Sequence, residues 1–159
     1  MKKLLSSLIL IAAILWVAYP YAQIYRLDQA LQANDKATLA ALIDIATVKE
    51  DQRTRIEQRA NSAIGQGDDP ISSMLRAGAK RLGESAVDTV VDVDWVRGQL
   101  AGAEARKGQF PPLVGRIDYA FFDNWNRFMV RVGELGRNPL HFRLGFADWQ
   151  WRVVAIYPG

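Results

Sequence analysis

Four arginines near the C-terminus are the residues whose type and spacing come closest to a chemical site. Arg127, Arg131, Arg143 and Arg152 interrupt apolar stretches at alternating positions. A guanidinium is permanently charged, and its flat fork of donors matches a carboxylate or a phosphate. If those stretches are β-strands, parity puts all four arginines on one face of a sheet. Such a face suits anionic lipid headgroups or an acidic partner protein. The charge distribution agrees, since residues 107–159 carry 7 basic and 4 acidic side chains whereas residues 23–106 carry 11 and 13. The same arrangement also serves solubility and protects a sheet from edge-to-edge pairing.

The other polar candidates are weaker. His141 is the sole histidine. A general base needs a partner that orients its ring, and none stands at a suitable spacing. Asp88, Asp92 and Asp94 surround Val91 and Trp95. Close carboxylates can hold a divalent cation, but the glycine and distal glutamate of a calcium loop are missing. Helix capping in a solvated turn accounts for them better, and Asp68-Asp69 read the same way. Ser62, Ser72, Ser73 and Ser85 lack the flanking pattern of a catalytic serine. There is no phosphate-binding glycine loop, dinucleotide fingerprint or nucleophile elbow. The absence of cysteine excludes disulfides, thiolate metal centres and a thiol nucleophile. The expectation is therefore a protein with no catalytic residue, metal or cofactor, and not an enzyme.

Aromatic residues crowd the same C-terminal third: Phe121, Phe122, Trp125, Phe128, Phe142, Phe146, Trp149 and Trp151. Of these, Phe128, Phe142, Trp149 and Trp151 are candidates for lining an aromatic pocket between helices and sheet. The competing reading is a filled core, because aromatic side chains favour strands and bury large areas.

The elements that must position these residues follow from periodicity. From about Val114 the apolar period is two. Phe128, Val130 and Val132 alternate with Arg127, Met129 and Arg131. Leu140, Phe142, Leu144 and Phe146 alternate with His141, Arg143 and Gly145. Trp149, Trp151, Val153 and Ala155 alternate with Gln150 and Arg152, and Ile117 to Phe122 forms an earlier strand. Turns at Asp123-Asn124, Gly136 to Pro139 and Ala147-Asp148 join the four strands into an antiparallel meander. Upstream, residues 25–107 read helical. Ile24, Leu27 and Leu31 share one helix face. Asn34-Asp35 breaks it, with Asp35 capping a segment that carries Leu39, Leu42 and Ile43. A third segment holds Val48, Ile56, Ala60 and Ile64. Asp69-Pro70 opens a helix through Met74, Leu75 and Leu82, after a loop over residues 65–70. Asp92 or Asp94 caps a last helix with Trp95 and Leu100. The predicted class is α+β, with amphipathic helices packed on one face of a four-stranded antiparallel meander (helical 25–107, sheet 114–158).

The N-terminus reads Met-Lys-Lys and then an apolar run from Leu4 to Ala18, with Trp16, Tyr19 and Tyr21 near its end. A charged start before an apolar run is the plan of an export signal, and Trp and Tyr favour the membrane–water interface. Cleavage after Ala22 or Ala18 would place Pro20 or Trp16 at a position that wants a small residue. Residues 1–24 are therefore expected to stay as an uncleaved signal anchor, and residues 25–159 to form the exported domain. Lys2 and Lys3 keep the N-terminus cytoplasmic. An exported domain would seldom meet nucleic acid, so none is expected as a partner.

Two stretches carry a family resemblance: Tyr19 to Leu31, running on through Asn34-Asp35, Leu39, Leu42, Ile43-Asp44 and Val48-Lys49, and the C-terminal Phe142 to Phe146 with Trp149 to Pro158. They resemble the bacterial domain-of-unknown-function family 2939, while residues 50–106 carry no recognisable match. The resemblance implies single, anchored envelope proteins of Gram-negative bacteria and brings no activity or cofactor. The combined expectation is a single-pass inner-membrane protein with a periplasmic domain. It acts as a binding or scaffolding module toward an envelope protein or anionic lipid; the alternative is a small-molecule binder with an aromatic pocket.

Overall fold

The computed structural model describes residues 2–64, 70–102 and 108–157. Helix α1 (Lys2–Ala33) comes first. It is followed by α2 (Lys36–Leu42), α3 (Ile45–Ile64), α4 (Pro70–Val90) and α5 (Val93–Ala101). The sheet consists of β1 (Ile117–Asn124), β2 (Arg127–Val132), β3 (Leu140–Ala147) and β4 (Gln150–Tyr157). Its spatial order is β1-β2-β3-β4 with every neighbouring pair antiparallel, the expected meander. The α+β class is thus observed.

Local chemistry sets the helix boundaries. Asn34 adopts the left-handed conformation that ends α1 (φ 53°). Asp35 then starts α2, its carboxylate accepting the Thr38 N–H at 3.1 Å. Of the two aspartates expected to cap α5, it is Asp92 that does so, accepting the Trp95 N–H at 2.7 Å. Gly102 closes α5 at φ 69°, a conformation that suits glycine. The expected cap at Asp69 and the loop before it lie outside the described residues.

The inner face of the sheet holds Phe128, Val130, Val132, Phe142, Leu144, Trp151 and Val153 in one buried cluster. Ile24, Leu27 and Leu31 of α1 join it, as do Leu39 and Leu42 of α2 and Val96 and Leu100 of α5. The free edge of β4 is closed by backbone: Ile43 bridges Val153, and the Asp44 N–H donates to the Val153 carbonyl at 2.9 Å. The Gln52 amide donates to the Ile156 carbonyl at 2.8 Å. That edge is therefore closed to pairing with another chain along these residues.

Three expectations need correction. First, the strand after the third turn begins at Gln150, so Trp149 is not on the inner face. Asp148 and Trp149 form the two-residue turn between β3 and β4, both with positive φ (51° and 61°), and Trp149 is 85% exposed. Second, β4 does not alternate to its end. Val153 pairs with Leu144 and Ala155 with Arg143, so Val154 is a bulge. The bulge reverses parity and sets Ile156 opposite Phe142, both fully buried. Third, Met74 and Leu82 of α4 do not face the core and are 78% and 76% exposed. Helix α4 meets α3 along a different line. Ile56 lies where a Gly83 side chain would be, Lys80 pairs with Glu57 at 3.1 Å, and Arg53 pairs with Asp88.

Helix α1 also crosses residue 24, the expected boundary between anchor and domain, without a break. Its first half is bare: Leu4, Leu8, Ile11, Ile14 and Leu15 are all exposed. Its second half is core. No charged side chain occurs from Leu4 to Tyr25, and the helix is long and apolar enough to cross a membrane.

Candidate functional site

The candidate residues fall on two surfaces, the outer face of the sheet and the junction between α1 and the sheet. On the outer face, the register places Arg127 opposite Gly145 and Gly145 opposite Arg152, in one row across three strands. The next row holds Met129 and Arg143, and the third Arg131, His141 and Tyr157. All four arginines therefore project from the same side. Gly145 is required in the first row because the bulged Val154 leans over it. A side chain there would begin 3.0 Å from the Val154 Cγ1, a crowding that few neighbours accommodate.

The arginines differ in how firmly they are held. Arg131 is fixed by Asp118 of β1, its Nε donating to Oδ2 at 3.1 Å. Arg143 reaches Asp123 only at 3.8 Å and Arg152 reaches Asp148 only at 3.6 Å. The Nε atoms of Arg143 and Arg152 are buried without a hydrogen-bond partner. Arg127 is exposed and has no ion pair among the described residues. Aromatic rings complete the face: Arg143 sits 5.5 Å and Arg55 3.7 Å from the Tyr157 ring centre. His141 makes no hydrogen bond to a carboxylate among the described residues, so nothing there orients it as a base.

The aspartate trio does not converge either. Asp92 caps α5, Asp94 pairs with Lys36 at 2.7 Å, and Asp88 pairs with Arg53. Among the described residues no group of three or more candidate ligands is placed to hold a metal ion. Ion pairing shifts two bases on the helices. The Glu50 carboxylate, by hydrogen bonding, raises Arg53 above its usual range, and Glu57 does the same for Lys80. Both carboxylates stabilise the charged base.

The pocket candidates separate. Phe128, Phe142 and Trp151 are fully buried and fill space. Trp149 alone faces a hollow, an open apolar groove of about 520 Å³ lined by Ala12, Leu15, Trp16, Ala18, Tyr19, Ala22, Phe146 and Trp149. This groove lies between α1 and the β3–β4 turn. Around it runs the aromatic junction that sequence reasoning missed. Trp16 packs edge-on against Phe146 (4.6 Å between ring centres), near Trp151 (5.8 Å), and stacks toward Trp125 (6.5 Å). The Tyr21 ring meets Phe128 at 4.9 Å, and its hydroxyl donates to the Ala120 carbonyl at 3.2 Å. The Tyr19 hydroxyl donates to the Trp149 carbonyl at 3.4 Å. The signal was present as Trp16, Tyr19 and Tyr21, which were read only as interface anchors.

The family model described as protein of unknown function, DUF2939, matches residues 9–98. The chain belongs to this family. The DUF2939 match starts inside the apolar half of α1 and ends in α5. It covers the Tyr19–Lys49 stretch that carries the resemblance, extends through residues 50–98, and ends before residues 142–158. The four arginines therefore stand outside the DUF2939 span. No curated protein and no solved structure matches the chain.

Proposed function

We propose that this DUF2939 protein is a single-pass inner-membrane protein of the Gram-negative envelope, whose small domain is a non-enzymatic binding or scaffolding module on the periplasmic side. The observation that carries the reading is α1 itself. One continuous helix is bare and mostly apolar over Leu4–Leu15 and becomes core from Ile24 onward. A buried core helix would not leave that half exposed, whereas a membrane would cover it. Lys2 and Lys3 support a cytoplasmic N-terminus. The loosely held Arg127, Arg143 and Arg152 support the outer face as the binding surface, offered to anionic headgroups or to an acidic envelope protein. A non-enzymatic role is supported by the dispersal of His141 and the aspartates.

Fractionation tests the anchor. The full chain expressed in a Gram-negative host should stay with membranes after a high-salt wash, and protease added to spheroplasts should digest the domain. A soluble mature form beginning near Gln23 would overturn the reading. Replacing all four arginines by glutamine tests the surface. It should abolish salt-sensitive binding at this face, with a small drop in the unfolding midpoint from the lost Arg131–Asp118 pair.

A further inference from the structure

Helix geometry sets how deep the domain can sit. The hydrocarbon core of a bilayer is about 30 Å thick, and a helix rises about 1.5 Å per residue. The stretch of α1 free of the sheet on every side is Leu4–Leu15, because Trp16 already packs on Phe146, Trp151 and Trp125. Those residues rise only about 18 Å. The uncharged stretch Leu4–Tyr25 rises about 33 Å and does span the core. From Trp16 to Tyr25 the helix has two sides at once. One packs on the sheet, and the other leaves Val17, Ala18, Ala22 and Tyr25 exposed. If α1 crosses the bilayer, the end of the sheet packed on Trp16 cannot stand clear of it. Polar Asp123, Asn124 and Asp148 keep that end out of the hydrocarbon, and hydrophobic mismatch resists large displacement of the helix. The sheet end then sits in the headgroup region, and local thinning of the bilayer around α1 takes up the remaining mismatch of about 12 Å.

The meander puts the β1–β2 and β3–β4 turns at this same end and the β2–β3 loop at the other. Each of the two turns presents a tryptophan: Trp125 is 67% and Trp149 85% exposed. Trp149 occupies φ 61°, where a bulky residue costs about 1–2 kcal/mol and where two-residue turns favour glycine. The ring meets Phe146 edge-on at 6.3 Å but stays mostly exposed, so packing within the fold offsets little of that cost, and a tryptophan at the interface explains the choice.

We propose that this turn-bearing end of the domain is a phospholipid-binding surface: Trp125 and Trp149 lie in the headgroup region of the bilayer crossed by α1, and the apolar groove between α1 and Trp149 seats the upper part of a lipid acyl chain. The groove has the chemistry for it, since Ala12, Leu15, Ala18, Ala22, Phe146 and Trp149 offer almost no polar surface. Arg127 and Arg152 lie one row inside the turns, within reach of phosphate groups. This inference rests on the anchoring reading above and adds a fixed seating of the domain to it.

The chain has no cysteine, so single cysteines can carry a nitroxide label. Four full-length variants, Leu10→Cys, Trp125→Cys, Trp149→Cys and Arg137→Cys, are reconstituted in phosphatidylcholine vesicles. Accessibility to oxygen, which concentrates in the bilayer, is compared with accessibility to a water-soluble nickel chelate. Position 10 reports the anchor, and position 137 reports the far loop. The oxygen-to-nickel ratio at 125 and 149 should lie several-fold above that at 137 and below that at 10. If position 10 is immersed while 149 and 125 match 137, the anchor stands and the seating is overturned. If position 10 is aqueous, both fall. Gln150→Cys, exposed beside the same turn, replaces Trp149→Cys should that variant lose its unfolding transition.

Discussion

Trp149 and Trp151 are two positions apart and chemically identical, yet their replacement should move stability in opposite directions. Trp151 is fully buried, with its ring 5.3 Å from Phe146, 5.8 Å from Phe122 and 5.8 Å from Trp16. A tryptophan buries 150–250 Å², about 4–6 kcal/mol at 25 cal/mol per Å². The alanine retained in Trp151→Ala recovers part of that, and the cavity left behind adds to the cost. The net expectation is about 3–5 kcal/mol of destabilisation. For a chain of this size the unfolding midpoint should drop by about 6–20 °C. Trp151→Phe should cost far less. It keeps an aromatic ring in the cluster and removes the indole N–H, which is buried without a partner and carries a desolvation cost of about 1–3 kcal/mol. Trp149→Gly should instead stabilise by about 1 kcal/mol, because Asp-Gly is the favoured pair for a two-residue turn with both φ values positive. The assay is urea or thermal unfolding of the full chain in neutral detergent micelles, followed by circular dichroism. Equal losses for Trp149→Gly and Trp151→Ala would refute the turn assignment and with it the register of β4. A neutral Trp151→Ala would refute the filled core.

Asp28 is buried on α1 and accepts the Leu113 N–H at 2.6 Å. Asp28→Ala leaves that donor unmatched in the interior and should cost about 1–3 kcal/mol in unfolding free energy, while Asp28→Asn, which keeps an acceptor, should recover most of it. In Gly83→Leu the new side chain starts 2.5 Å from the Ile56 Cγ2, so α3 and α4 must separate; a loss of about 1–3 kcal/mol is expected, read as faster amide exchange in α4. Hydrogen bonds from Thr38 hold the Asp35 carboxyl below its ordinary range. A lowered carboxyl stabilises the fold fully above the ordinary range and loses that contribution as pH falls through and below it. The acid limb of an unfolding-versus-pH curve should therefore flatten in Asp35→Asn, which caps α2 without titrating.

How far the sequence anticipated this structure depended on the range of the signal. Asp35 and Asp92 were legible as caps because a cap needs only its own carboxylate and an N–H three residues on. The strand faces of Phe128, Val130, Phe142 and Leu144 were legible because parity is local. The β3–β4 turn was misplaced by one residue because its second member is tryptophan. A glycine there would have marked the turn, whereas an aromatic extends the apolar alternation of β4 backwards. The Val154 bulge leaves no compositional mark, so the switch from Val153 to Ile156 as the inward residue was invisible. The partners of the arginines were equally hidden. Asp118 and Asp123 meet Arg131 and Arg143 only through strand pairing, which brings residues 13 and 20 positions apart in sequence side by side.

The most consequential misreading concerns Tyr19-Pro20-Tyr21. In the sequence Pro20 serves only as a bar to cleavage after Ala22, and the anchor is expected to end at residue 24, apart from the domain. In the structure Pro20 is a buried residue inside an unbroken helix, and its neighbours hydrogen-bond to the sheet through Tyr19 and Tyr21. Proline usually weakens a helix by removing one backbone bond and crowding the preceding turn. Here that turn carries Trp16, whose ring is clasped by Trp125, Phe146 and Trp151, so tertiary packing supplies the order that the missing bond would have given. The consequence is mechanical. A flexible linker between anchor and domain would let the outer sheet face sample every orientation above a membrane. If α1 crosses a membrane as proposed, one helix that is both span and core removes that freedom. Any partner of Arg127, Arg143 and Arg152 then meets them at one height and one tilt, which lowers the orientational entropy lost on binding and restricts partners to those that reach the same layer.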